Sequence, residues 1–206
     1  MKLYHHPYSS NARKAVMAAK LLDIDVACEL VDLASGAQRK PEFLKLNPNG
    51  MVPVLVDGDF VLWESNAIIT YLADSKPGNT LYPSERKARA NVDRWLFWAA
   101  NHWGPAISIL SFENMLKKMH GLGDPDPAQI ERGETFFKKF AGVLDAHLTA
   151  NPWVAGETMT LADISIAAPL MYTEMSKLPV EGFDHVKAWF ERVQALDAWK
   201  QTALSK

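Results

Sequence analysis

Period-two alternation of apolar side chains, the mark of a half-buried strand, is confined to the first ~80 residues of this chain. Beyond them helical periodicity takes over and alternation all but disappears. A sequence that changes its period once and does not change back predicts two layers of different build. The expected architecture is an α/β domain over residues 1–78 followed by an all-α helical domain over residues 86–206. Between them SKPGNTLYPSE, with its two prolines and a glycine, reads as a linker.

Residues 2–4 read as a brief strand, and Ala12, Ala15, Val16, Ala19 and Leu22 make one apolar helix face, with Arg13, Lys14 and Lys20 opposite. Val26, Cys28 and Leu30 alternate as a second strand, in which Cys28 is expected to be a small buried apolar residue. SGAQRK is a polar loop, and PEFLKL is a short helix opened by proline. In NPNGMVPVLVDGDFVLWES, strand runs over residues 54–56 and 60–62 flank Asp57-Gly58-Asp59, and Asp-Gly is a strong hairpin signal. A helix over residues 65–73 completes the order βαβαββα. In the second half Ser84 is expected to cap a helix that runs through Trp98 and bends at Gly104-Pro105. Asp126 and Pro127 then form an N-cap and first-turn pair, Thr160 opens another helix, and two short helices close the chain.

With 22 basic against 24 acidic residues and no charge run, the chain lacks the electrostatic footprint of a nucleic-acid or anionic-membrane binder. A small-molecule or protein partner is expected instead. No apolar run approaches the ~18 residues of a membrane span. MKLYHHP lacks the build of a secretory signal, so a cytoplasmic location is expected. The single cysteine, Cys28, excludes an internal disulfide and a CxxC redox pair, so any sulfur chemistry must use the sulfur of a ligand. Adjacent His5 and His6 point oppositely in an extended segment and have no further ligand at metal spacing; no metal site is expected.

Four stretches, KLYHHPYSSNARK, LKLNPNGMVPVL, LWESNAIITYLA and GETMTLADISIAAPL, occur in that order across both halves. Together they resemble the cytosolic glutathione transferases, most of all the bacterial, phi-like and theta-like serine branches. The resemblance implies a thioredoxin-like first domain that binds glutathione, an all-α second domain, and an apolar electrophile in the cleft between them. It also implies a homodimer, glutathione as co-substrate and no prosthetic group. The reaction would be attack by the glutathione thiolate on a hydrophobic electrophile.

By that resemblance Ser9 is the hydroxyl that meets the thiol. Ser10 is its rival, because beta-type relatives place a cysteine there; Tyr4 is a third candidate, and Asn11 a cap or supporting amide. Val52-Pro53 would be a cis pair whose Val52 backbone pairs with an extended peptide ligand. Ser65 and neighbouring backbone N–H groups at a helix start would meet the α-carboxylate of the γ-glutamyl end, and Glu64 its α-ammonium. Gln38, Arg39 and Lys40 would face the glycine carboxylate. Met51 stands where many relatives carry lysine or glutamine, which leaves more of that contact to Arg39 or Lys40. Tyr8, Trp103, Phe112 and Met115 are candidates for the electrophile pocket.

Structural roles compete with several of these. Ser9 and Ser65 can serve as helix caps, Arg39 as a solvated loop charge, and Trp95, Trp98, His102 and Trp103 as one core-facing side of a helix. TLADIS has the spacing of a capping box, with Met159 and Ile164 as a hydrophobic staple. Asp163 within it is expected to be buried, bonded to backbone N–H groups, and not catalytic. Two other activities use the same thiol activation: glutathione-dependent peroxidase and disulfide reductase chemistry. A non-catalytic protein binding glutathione or apolar ligands is the remaining alternative.

Overall fold

A computed structural model describes residues 1–204. The chain forms two units, one of Met1–Ser84 joined by the chain end from Ala195, the other of Glu85–Gln194. The expected boundary at residue 86 kept the chain end with the helical half, whereas the structure returns it to the first unit.

That unit runs β1 (Lys2–His5), α1 (Ser10–Leu21), β2 (Ala27–Leu30), a 3-10 turn (Ala37–Arg39), α2 (Pro41–Leu44), β3 (Val54–Asp57), β4 (Phe60–Trp63) and α3 (Ser65–Asp74). The sheet order is β2-β1-β3-β4, with β1 and β2 parallel and the other neighbours antiparallel. This is a thioredoxin-like α/β domain. Asp57 pairs with Phe60, so Gly58 and Asp59 alone make the hairpin loop. Leu3 and Leu55 of the sheet are buried, as are Ala12, Ala15 and Ala18 of α1 and Ile68, Ile69 and Leu72 of α3. The alanines of α1 let α3 pack closely along it.

β2 is an edge strand, and all four of its residues are exposed. Cys28 is therefore an exposed thiol, not the buried residue expected. Alternation marks a strand but not its place in the sheet.

α1 also departs from its expected polar face, because Arg13 and Lys14 are both buried. Arg13 receives the chain end: its guanidinium donates to the Trp199 carbonyl at 2.7 Å and the Thr202 hydroxyl at 3.1 Å, and stacks over the Trp199 ring at 3.6 Å. Hydrogen bonds from a charged donor contribute ~1.5–3 kcal/mol each, enough to attach the short helix α10 (Asp197–Gln201; α4 to α9 lie in the second unit) to α1.

The second unit holds α4 (Arg86–Trp98), a π turn (Ala99–Trp103), α5 (Gly104–Ser111), a second π turn (Phe112–Leu116), α6 (Lys117–His120), α7 (Pro127–Leu148), α8 (Leu161–Ala167) and α9 (Asp184–Ala195). Glu85 caps α4 rather than the expected Ser84; its carboxylate accepts the Ala88 N–H at 2.7 Å. The expected bend at Gly104-Pro105 takes the form of the first π turn. Proline cannot sit in a regular helix without losing a hydrogen bond and clashing one turn back, and a widened turn absorbs the misfit. Gly104 closes that turn by donating to the Ala99 carbonyl, and a Cβ on it would lie 3.0 Å from the same oxygen. The insertion also rotates the helix face. Trp103 becomes fully buried while His102 turns to the exposed side and stacks on Phe140. Asp126 accepts the Ala128 N–H at the start of α7, and Thr160 with Asp163 forms the capping box of α8, as the sequence predicts.

Candidate functional site

Strand register brings the scattered motifs to one end of the sheet. Tyr4 and His5 end β1, and Tyr4 pairs with Val54, the first residue of β3. Val54 in turn pairs with Trp63, the last residue of β4, and His5 with Leu30, the last of β2. Because β3 runs opposite to its neighbours, the turn after β1, the Val52-Pro53 pair before β3, the Glu64-Ser65 pair after β4 and the loop after β2 all leave the sheet at this end. The Val52–Pro53 peptide is cis.

HPYS forms the turn after β1, closed by the Ser9 N–H donating to the His6 carbonyl at 2.9 Å, with Pro7 in the position proline favours. Ser9 is the N-cap of α1: its backbone is extended (φ −99°, ψ 112°) and its Oγ accepts the Ala12 N–H at 3.1 Å. A hydroxyl carries two lone pairs and one proton, so this bond leaves Ser9 able to donate to a ligand. Ser10 is the first residue of the helix. Tyr4, the third candidate, packs edge-on against Phe43 in an apolar cluster with Val31 and Val54, which accounts for its ring without a ligand.

The Ser65 hydroxyl donates to Asn11 Oδ1 at 3.3 Å, tying the start of α3 to the first turn of α1. Asn11 is thus the supporting amide. Ser65 is buried, and Glu64 before it has φ 73° and ψ 113°. A left-handed conformation at a non-glycine residue costs ~1–3 kcal/mol and gathers at functional sites. Lys14, one turn after Asn11, is only 7% exposed. Burial pushes its ammonium down to about 8, against the pull of the Glu64 carboxylate. The burial of Lys14 carries no mark in the sequence, since a lysine opposite an apolar helix face reads as solvated.

The NPNG turn is organised by buried Asn47, whose amide donates to the Met51 carbonyl at 2.8 Å and whose Oδ1 accepts the Asn49 N–H at 3.0 Å. Gly50, at φ 61°, lets this turn approach the preceding loop; a Cβ there would lie 3.1 Å from the Gln38 carbonyl. Gln38 is therefore held beside Gly50, and its Oε1 is buried without a donor among the described residues. Arg39 and Lys40 are exposed, as is the Met51 side chain.

The four apolar candidates differ in placement. Tyr8 is half-exposed in the first unit. In the second unit Phe112 is exposed and Met115 buried on the second π turn. Trp103 is fully buried and donates its indole N–H to the Ile166 carbonyl at 2.9 Å, which places its ring in the helical core. Asp163 is fully buried with its oxygens filled by donors from Val154, Thr160 and Trp189, a structural position as expected. Among the described residues, no group of three or more His, Cys, Asp or Glu side chains is placed to hold a metal ion, and no helix is long and apolar enough to cross a membrane.

Residues 1–74 match the glutathione S-transferase N-terminal domain and residues 122–197 the glutathione S-transferase C-terminal domain. Glutathione S-transferase 3 of Zea mays is 37% identical over 207 residues, covering 98% of this chain and 92% of the maize protein. Among solved structures, glutathione transferase F7 from Populus trichocarpa superposes with a TM-score of 0.90 at 30% identity, covering 98% of this chain and 97% of that one. Glutathione S-transferase I bound with lactoylglutathione superposes at 0.87 and 28% identity, with the same coverage.

Proposed function

The chain belongs to the glutathione S-transferase family, and from that premise we propose how its own residues carry the transfer of glutathione's thiol to a hydrophobic electrophile. It is a glutathione transferase of thioredoxin-like plus helical build. Its chemistry is of the serine type, in which Ser9 activates the thiol.

The convergence of Ser9, Val52 and the Glu64-Ser65 pair at one sheet end carries the reading. Glutathione is proposed to lie extended across that end. Its γ-glutamyl carboxylate sits at the start of α3 against Ser65, where the backbone N–H groups of the first turn and the helix dipole favour an anion, and its ammonium meets Glu64. The cysteinyl backbone pairs with the Val52 backbone as an added strand would. The glycine carboxylate reaches Gln38, Arg39 and Lys40. These anchors hold the sulfur over the HPYS turn, where the Ser9 O–H donates to the thiolate while Ser9 Oγ keeps its bond from Ala12. The thiol proton leaves to solvent, and the thiolate forms a C–S bond at an electrophilic carbon as the leaving group departs with its electron pair, chloride in the case of chlorodinitrobenzene.

Glutathione serves as co-substrate, with no prosthetic group. The assembly is proposed to be a homodimer and its compartment the cytoplasm. The natural electrophile is an apolar compound, for which Phe112 and Met115 of the second unit are the candidate contacts.

Adding glutathione to the protein at neutral pH should produce the ultraviolet band of a bound thiolate, with turnover of chlorodinitrobenzene exceeding that of a hydroperoxide and of a mixed disulfide. Binding without the band would identify a carrier. A band accompanied by dominant peroxide or disulfide turnover would move the assignment to those chemistries.

A further inference from the structure

The second π turn, Phe112–Leu116, has no proline within it or in α6 after it, so the misfit that accounts for the first π turn does not account for this one. Isolated π turns gather at functional sites. This one is pinned at two places. Buried Ser176 donates its hydroxyl to the Ser111 hydroxyl at 2.8 Å, and its carbonyl accepts the Asn114 amide at 3.0 Å. Glu113, also buried, accepts at Oε2 both the Asp126 N–H and the Lys117 ammonium, each at 2.7 Å. A neutral glutamine would tie the turn to the start of α7 as well, and burying a charge is costly, so the Asp126 bond alone does not account for a carboxylate. What the charge adds is its hold on Lys117. That ammonium lies over the Phe112 ring, 5.7 Å from its centroid and within reach of a cation–π contact. Phe112 is otherwise exposed, a large apolar ring on a fixed backbone.

We propose that Glu113 is a positioning residue for the electrophile: through Lys117 it holds the Phe112 ring in the orientation on which a flat aromatic electrophile stacks. A ring already held by its neighbours gives up little freedom when a second ring packs on it, so the arrangement favours aromatic electrophiles over small aliphatic ones. The inference rests on the reading that Phe112 contacts the electrophile.

S-dinitrophenylglutathione, the product of chlorodinitrobenzene conjugation, carries the aromatic ring and S-methylglutathione does not, so the ratio of their affinities by calorimetry isolates the ring's contact. Glu113→Gln should weaken binding of the first about fivefold and leave the second within about twofold. The KM for chlorodinitrobenzene should rise in parallel, with kcat and the KM for glutathione unchanged. Lys117→Arg, which keeps both the ion pair and a cation over the ring, should bind the two conjugates as the native chain does. Phe112→Ala should weaken the aryl conjugate about tenfold, and in that background Glu113→Gln should have no further effect. If Phe112→Ala weakens the aryl conjugate but Glu113→Gln does not, if the two losses simply add, or if Glu113→Gln weakens both conjugates alike, the positioning role is wrong and the pocket reading stands. If Phe112→Ala changes nothing, both are wrong. Should Glu113→Gln fail to fold, Glu113→Gln combined with Lys117→Met, which leaves no buried charge at the pair, takes its place. The same loss for the aryl conjugate is expected there, and an unchanged ratio overturns the proposal.

Discussion

Ser9→Ala should lower kcat/KM for conjugation by roughly 30- to 100-fold and remove the bound-thiolate band, while glutathione still binds. The size follows from the acid–base requirement. A cysteine-like thiol with a pKa of about 8.5 is only ~3% ionised at pH 7; lowering it by two units gives roughly 75% and needs ~2.7 kcal/mol of preference for the anion. One hydrogen bond to a charged acceptor contributes ~1.5–3 kcal/mol, and the start of a helix ~0.3–1 kcal/mol. Only the first is lost in the variant, because the α1 dipole remains. The pH profile of kcat/KM gives the sign: its rising limb, near pH ~6.5 in the native protein, should move up by about two units. Ser9 also caps α1, so the variant should lose about 1 kcal/mol of stability, too little to explain the rate. Ser10→Ala is the control, expected to retain activity within about twofold because Ser10 stands at the first helical position rather than the cap. Loss of the band in Ser10→Ala and its retention in Ser9→Ala would reverse the assignment.

The order βαβαββα could be read from the sequence because each element carries its own signal, such as the Asp-Gly hairpin or the proline that opens α2. The assembly of the site could not. That Ser9, Val52 and Glu64 share one end of the sheet depends on the direction of β3, which periodicity does not encode, and only the family likeness linked them beforehand. The same gap explains Lys14 and Arg13. A helix packed by α3 and by the returning α10 has no free polar face, and the clamp at Arg13 joins residues nearly the whole chain apart. Cys28 illustrates the converse, since its strand signal was sound while its burial depended on a neighbour strand that the sheet does not have. His102 shows how a single local insertion defeats a face assignment: the spacing i, i+3, i+7 and i+8 holds only for an unbroken helix, and the π turn changes which residues share a side, leaving His102 exposed beside buried Trp103.

Asp163→Asn should unfold the second unit almost as readily as Asp163→Ala, with a loss of about 3–4 kcal/mol, although it changes only one atom for another of similar size. Oδ1 accepts the Val154 N–H at 2.9 Å and the Trp189 indole N–H at 2.8 Å; Oδ2 accepts the Thr160 N–H at 2.8 Å and its hydroxyl at 3.3 Å. Both oxygens therefore face donors, and an amide turned either way sets its own N–H2 against one of those pairs. Burial pushes the Asp163 pKa up while these donors pull it back, so the site holds the carboxylate only with all of them in place. Each buried donor left unsatisfied costs ~1–3 kcal/mol, and the alanine variant orphans three rigid ones, the backbone N–H groups of Val154 and Thr160 and the Trp189 indole. Against a typical total of ~5–15 kcal/mol either change is a large fraction. For a chain of this size ~3–4 kcal/mol corresponds to a fall in Tm of about 10 °C, which thermal unfolding followed by Trp fluorescence would report. A variant Tm within about 2 °C of the native value would show that one oxygen is not an essential acceptor. At a temperature where the asparagine variant remains folded, its KM for glutathione should be unchanged, because every proposed glutathione anchor lies in the first unit. A raised KM there would mean that Asp163 is more than a structural acceptor.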